Sequence, residues 1–121
     1  MRDLIKTFKA LSDESRLRTL SLLLERECCV CEVMQALDIS QSKASRALSA
    51  LYDAGIMQLR KDGRWSLYSI DREGMDPHLW QVVKAVSQSL EGNEAMALDR
   101  ERLEKAERVG PGCIRQARKQ R

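Results

Sequence analysis

Apolar residues recur along most of this chain at the three-to-four spacing of helices, and one stretch alternates instead. Residues 3–11 (DLIKTFKAL) place Leu4, Ile5, Phe8 and Leu11 on a single stripe. Ser12 reads as the cap of a second helix, with Asp13 and Glu14 in its first turn and Leu17, Leu20 and Leu24 on one face to about Glu25. A short third helix is predicted over 30–37, turning Val33, Met34 and Leu37 inward. Asp38-Ile39-Ser40 makes a tight turn, and Ser40 caps a fourth helix over 41–54 that Gly55 stops. In that helix Ala44, Ala47, Leu48 and Leu51 must face a core, while Ser42, Ser45, Arg46 and Ser49 line another face.

The period then changes. Residues 56–60 and 64–70 read as strands flanking Lys61-Asp62-Gly63, and Asp-Gly is a hairpin signal. After Asp76-Pro77 a fifth helix begins, with Leu79, Val82, Val83, Val86 and Leu90 as its apolar face. Gly92-Asn93 breaks it, and residues 94–109 read as a charge-laced sixth helix. Gly110-Pro111-Gly112 ends that helix before a basic tail, 114–121. The expected fold is mainly α with a β-hairpin wing: a winged helix-turn-helix ordered α-α-α-α-β-β-α, plus a C-terminal helix. The expected division is residues 1–91 for DNA binding and dimerisation, and 92–121 for the C-terminal helix and tail.

This order carries a chemical expectation. A recognition helix buries one stripe and offers another of short hydrogen-bonding groups to the major groove, while wing cations meet the phosphates. The candidates are Gln41, Ser42, Lys43, Ser45 and Arg46 on the fourth helix, and Arg60, Lys61 and Arg64 in the hairpin. The whole chain carries a net charge of +3, too little to argue for nucleic acid by itself. Residues 41–70 hold five cations and two anions, also net +3, so the charge is concentrated where DNA would lie.

The 121 residues suit one compact domain. No run of eighteen apolar residues spans a membrane, and the opening residues lack the apolar stretch of a signal peptide, so a cytoplasmic protein is expected. One histidine, no glycine-rich phosphate loop and no recognisable acidic pair leave no catalytic constellation. An enzyme, a small organic substrate and a required cofactor are therefore not expected.

Four stretches resemble the ArsR/SmtB family of arsenical-resistance and metal-sensing repressors: FKALSDESRLRTLSLL (8–23), ECCVCEV (27–33), QSKASRALSALYDAGIM (41–57) and RKDGRWSLYSI (60–70). The resemblance implies a winged-helix homodimer that binds double-stranded operator DNA and releases it when metal binds. It places Gln41, Ser42, Lys43, Ser45 and Arg46 on the DNA-reading helix, and Arg60, Lys61 and Arg64 at the phosphates. Many members have histidine where this chain has Arg46.

Of four cysteines, Cys28, Cys29 and Cys31 crowd together and Cys113 stands apart. Such a cluster reads as metal-binding or redox-active rather than as a disulfide framework. Arsenic sensors of the family resemble it through a C-V-C core in a longer E-L-C-V-C-D-L-C motif. Cys29 and Cys31 match the first two thiols, whereas the third falls on Met34. Cys28 is the adjacent substitute for a third ligand, and Cys113 the distant one. Three sulfurs suit As(III) or Sb(III) as inducer. Residues two apart on a helix point about 200° from each other, so Cys29 and Cys31 could grip one ion only if the third helix unwound at its start. A thiol redox or persulfide sensor, or a sensor of cadmium or lead, is the alternative. The family's second metal site would pair Asp76 and His78 with a later histidine, but that position is Ser89, which disfavours zinc.

Overall fold

The structure is a computed structural model that describes residues 1–108. Among the described residues the elements follow as α1 (Arg2–Leu11), α2 (Glu14–Glu25), α3 (Val30–Leu37), α4 (Gln41–Asp53), β1 (Met57–Asp62), β2 (Trp65–Ile70), α5 (Pro77–Ser89) and α6 (Glu94–Lys105). The expected winged helix-turn-helix order is present.

Local chemistry sets the boundaries. Asp13, not Ser12, caps α2: its carboxylate accepts the Arg16 N–H at 3.1 Å. The Ser12 hydroxyl instead donates back to the Lys9 carbonyl at the end of α1. The aspartate combines the capping bond with a negative charge at the positive end of the helix. Asp38 closes α3 in the left-handed region (φ 53), which aspartate tolerates better than most side chains. Ser40 caps α4 by accepting the Lys43 N–H at 3.2 Å.

The hairpin turns one residue later than Asp-Gly suggests. Asp62 pairs with Trp65, and Gly63-Arg64 forms the two-residue loop, with positive φ at Gly63 (59) but not at Arg64. That is the arrangement in which glycine takes the first central position. Cys28 extends the sheet beside β2: its N–H donates to the Tyr68 carbonyl at 3.0 Å, and the Tyr68 N–H returns to the Cys28 carbonyl at 2.9 Å.

Leu20, Leu22, Val33, Leu48, Leu51, Ile56 and Val83 lie at the centre of the core. α6 ends at Lys105, short of the expected 109, and packs on α3 and α2. Met96 and Leu103 are buried there, and Asp99 accepts the Arg18 guanidinium through both oxygens at 2.8 and 2.7 Å. Leu4, Ile5 and Phe8 of α1 are exposed, whereas Val83 of α5 is buried within the protomer. α5 turns through more than one environment, and Val83 faces the core.

Candidate nucleic-acid interface and thiol cluster

α4 divides as its sequence pattern requires, except at Ser45, which is expected on the open face and is half-buried. Ala44, Ala47, Leu48 and Leu51 are buried, while Ser42, Lys43, Arg46 and Ser49 are exposed. Gln41 and Ser45 are half-buried and linked, the Gln41 Nε2 donating to the Ser45 Oγ at 2.9 Å. The exposed face thus offers hydroxyls, an amide and two cations on a helix held by its opposite stripe. On the hairpin, Arg60, Lys61 and Arg64 are all exposed. Lys61 donates to the Ser66 hydroxyl at 2.7 Å. Arg60 holds the Glu27 carboxylate with two hydrogen bonds, which keep that carboxyl below its ordinary range. One wing cation is therefore tied to the segment that carries the cysteines.

The three described cysteines are reduced and buried. The structure corrects the expected geometry of the pair. Cys29 is the cap of α3, with extended backbone (φ −89, ψ 168), and not a residue of the helix. Cys29 and Cys31 share one small cluster with Leu67 and Trp65 of β2, so no unwinding is needed to bring them into the same neighbourhood. The predicted helix, 30–37, matches α3; the sequence argument failed because it extended helical geometry to Cys29, one residue before that helix.

Cys28 goes elsewhere. Its side chain packs in the main core, and its thiol donates to the Arg26 carbonyl at 3.5 Å. Met34, at the third position of the sulfur motif, is also buried in that core. No group of three metal-binding side chains forms among the described residues. Cys113 and the basic tail lie outside the described residues. His78 is exposed in the first turn of α5.

Burial pushes the Cys28 thiol up to about 12, reinforced by the Glu32 charge. Burial likewise pushes Cys29 up to about 11, opposed by the Glu32 backbone N–H. Cys31 accepts from the Gln35 amide at 3.1 Å, and its thiol lies 3.8 Å from the Glu107 carbonyl. Gln35 and Glu107 also pair directly, amide to carbonyl at 2.9 Å and N–H to amide oxygen at 3.0 Å. The segment after α6 is thereby fastened over Cys31.

Sequence reasoning passed over Glu32, which organises this site. Its carboxylate, 3% exposed, accepts the Cys29 N–H at 3.0 Å, Arg26 at 2.6 Å and Arg108 at 3.0 Å. Burial alone would raise it, but those hydrogen bonds bring it below the usual carboxylate range. A signal was available: Cys29-Val-Cys-Glu32 is a capping box with cysteine in the serine position. Trp65 was missed as well. Its ring lies under the Arg108 guanidinium at 5.7 Å, and its buried Nε1 has no hydrogen-bond partner among the described residues.

The fold is that of the winged helix-turn-helix class. A family model described as "Bacterial regulatory protein, arsR family" matches residues 13–58. The chain is 46% identical over 67 residues to an arsenic resistance transcriptional regulator of Pseudomonas putida, covering 54% of this chain and 52% of that one. It is 41% identical over 83 residues to a cadmium resistance transcriptional regulatory protein homolog of Staphylococcus aureus, covering 68% and 65%. It is 35% identical over 74 residues to the arsenical resistance operon repressor of Bacillus subtilis, covering 60% and 70%. A homodimeric winged helix-turn-helix DNA-binding domain from Mycobacterium bovis, a possible ArsR-family regulator, superimposes with a TM-score of 0.63 at 25% identity, covering 77% and 82%. The chain belongs to the arsR family of bacterial regulatory proteins. It spans between half and two thirds of the length of the first two relatives.

Proposed function

We propose that this protein is a cytoplasmic transcriptional repressor that binds operator DNA as a homodimer and leaves it when trivalent arsenic or antimony binds at Cys29 and Cys31. The observation that carries this reading is the attachment of the thiol segment to the wing. Cys29 and Cys31 pack on Leu67 and Trp65, Cys28 is hydrogen-bonded to Tyr68, and Glu27 grips Arg60. A ligand that rearranges residues 27–31 therefore moves an element that carries phosphate-binding cations. Gln41, Ser42, Lys43, Ser45 and Arg46 supply base and backbone contacts, and Arg60, Lys61 and Arg64 meet flanking phosphates. Residues 1–91 supply reading and pairing surfaces, and 92–121 a C-terminal helix and basic tail.

The relative named for cadmium resistance supports a competing inducer, a soft dication. The thiol chemistry favours the metalloid. A cysteine thiol without a bound metal is mostly protonated at neutral pH. A neutral trivalent hydroxide condenses with protonated thiols and carries their protons away in water. A dication must expel those protons, which makes its binding strongly pH-dependent.

The test begins with an operator selected from a randomised duplex pool and follows its release by fluorescence anisotropy. Arsenite and antimonite should release wild type at lower concentrations than cadmium, and zinc should not release it. Cys29→Ser and Cys31→Ser should bind the same DNA and resist release. Release of Cys29→Ser at the wild-type arsenite concentration would overturn the thiol reading, and earlier release by cadmium would reassign the inducer.

A further inference from the structure

A buried donor without an acceptor is costly, so the Trp65 Nε1, which has none among the described residues, calls for an explanation. It belongs to a half-buried side chain packed against the cluster that Cys29, Cys31 and Leu67 form. The site also falls short on the sulfur side. Cys28 and Met34 are turned into the core, and no third metal-binding side chain joins the pair among the described residues. Two thiols and one N–H donor unmatched among the described residues together describe a ligand that takes two sulfurs and keeps one oxygen.

We infer that Trp65 completes the thiol site: Cys29 and Cys31 bind a trivalent arsenic or antimony hydroxide that retains one hydroxyl, and the Trp65 indole N–H donates to that oxygen. This rests on the thiol reading above and names the third determinant of the same site. The reaction balances without an oxidant or reductant: E(OH)3 + 2 RSH gives (RS)2E–OH + 2 H2O, where E is the metalloid. Two E–O bonds break, two E–S bonds form, and each thiol proton leaves in a water. The Gln35 amide at the Cys31 sulfur supplies a second donor and disperses charge on the bound sulfur. Arg108 over the Trp65 ring fixes the plane of the indole. Trp65 is a specificity-determining residue because its donor rewards a ligand with a retained hydroxyl and does nothing for one that lacks it.

The experiment compares arsenite with phenylarsine oxide, which binds two thiols but bears a phenyl group where arsenite keeps its hydroxyl. Affinities come from protection of Cys29 and Cys31 against a thiol-reactive dye. Trp65→Phe should weaken arsenite about tenfold, the loss of one buried hydrogen bond, and phenylarsine oxide less than about twofold. Equal losses for both ligands would reduce Trp65 to packing, and an unchanged arsenite affinity would remove it from the site; either overturns the inference. Arsenic-edge X-ray absorption on arsenite-loaded wild type needs no variant and should show two sulfurs and one oxygen. Three sulfurs overturn the inference while leaving the thiol reading intact. Failure of both ligands to protect Cys29 and Cys31 in wild type overturns the thiol reading itself and this inference with it. In a Trp80→Phe background, Trp65 emission should change on arsenite binding, and the change should vanish in Cys29→Ser.

Discussion

Cys28 and Cys29 are adjacent in sequence and face different surroundings, one in the main core and one beside Trp65 and Cys31. The extended backbone at Cys29, together with the Cys28–Tyr68 pairing, sends successive side chains to opposite sides. Both thiols titrate well above an ordinary cysteine because burial disfavours the thiolate. In the unfolded chain they ionise near 9, so the unfolded state sheds protons first as pH rises. Their stabilisation is complete below about pH 9 and disappears as pH climbs through 11 and 12. Urea unfolding should therefore show a steeper loss of stability between pH 9 and 10.5 in wild type than in Cys28→Ala. Cys28→Ala should be less stable at pH 7 by about 1–2 kcal/mol, from the cavity it leaves. Parallel pH profiles for the two proteins would show that the Cys28 thiol does not contribute.

Among the elements, α6 is attached by charge as much as by apolar contact. Asp99 is 1% exposed and binds Arg18 of α2 through both oxygens, while Met96 and Leu103 fill the surface beneath. A buried charge deprived of its partner is costly, and Arg18 keeps some solvent contact, which reduces the effect. Asp99→Asn should destabilise the fold by about 2–3 kcal/mol in urea titration. It should also loosen the segment over Cys31, read as faster alkylation of that thiol at an unchanged rate for Cys28. A second attachment, Glu32 between Arg26 and Arg108, joins α3 to the chain beyond α6. Its carboxylate is held below the ordinary range, so that contribution persists at neutral pH and is lost only as pH falls below about 4.

At the scale of the whole molecule, the largest apolar exposure on α1 is Leu4, Ile5 and Phe8, at 52%, 47% and 55%. Three neighbouring side chains left half open on one stripe suit burial against a second copy of the chain. Sedimentation equilibrium at micromolar concentration should give twice the 13.8 kDa of one chain. Phe8→Asp should shift the mass toward the monomer and weaken operator binding at least tenfold. It should leave thiol protection by arsenite unchanged, because α1 contributes no residue to the Cys29–Cys31 cluster. A Phe8→Asp protein that remained dimeric would move the pairing surface elsewhere.

The sequence by itself determined the elements and their order. Apolar periodicity, the Ser40 cap, the stop at Gly55 and the change to alternation at residue 56 are local signals, and each acts within a few residues. It also identified the two faces of α4, because a helix that buries Ala44, Ala47, Leu48 and Leu51 turns Ser42, Arg46 and Ser49 to solvent; Ser45, expected with them, is half-buried against Gln41. The tertiary structure decided how the cysteines divide. Helical geometry extended to Cys29 predicted that Cys29 and Cys31 diverge, but Cys29 has extended backbone before the helix, and it joins Cys31 in one cluster with Leu67, against which Trp65 packs. Only the fold brings Glu27 to Arg60, Glu32 to Arg108 and Trp65 to the thiols, across separations of 33, 76 and more than 30 residues. Charge pairing and core packing act through space, and no local pattern of residues encodes which distant side chain arrives.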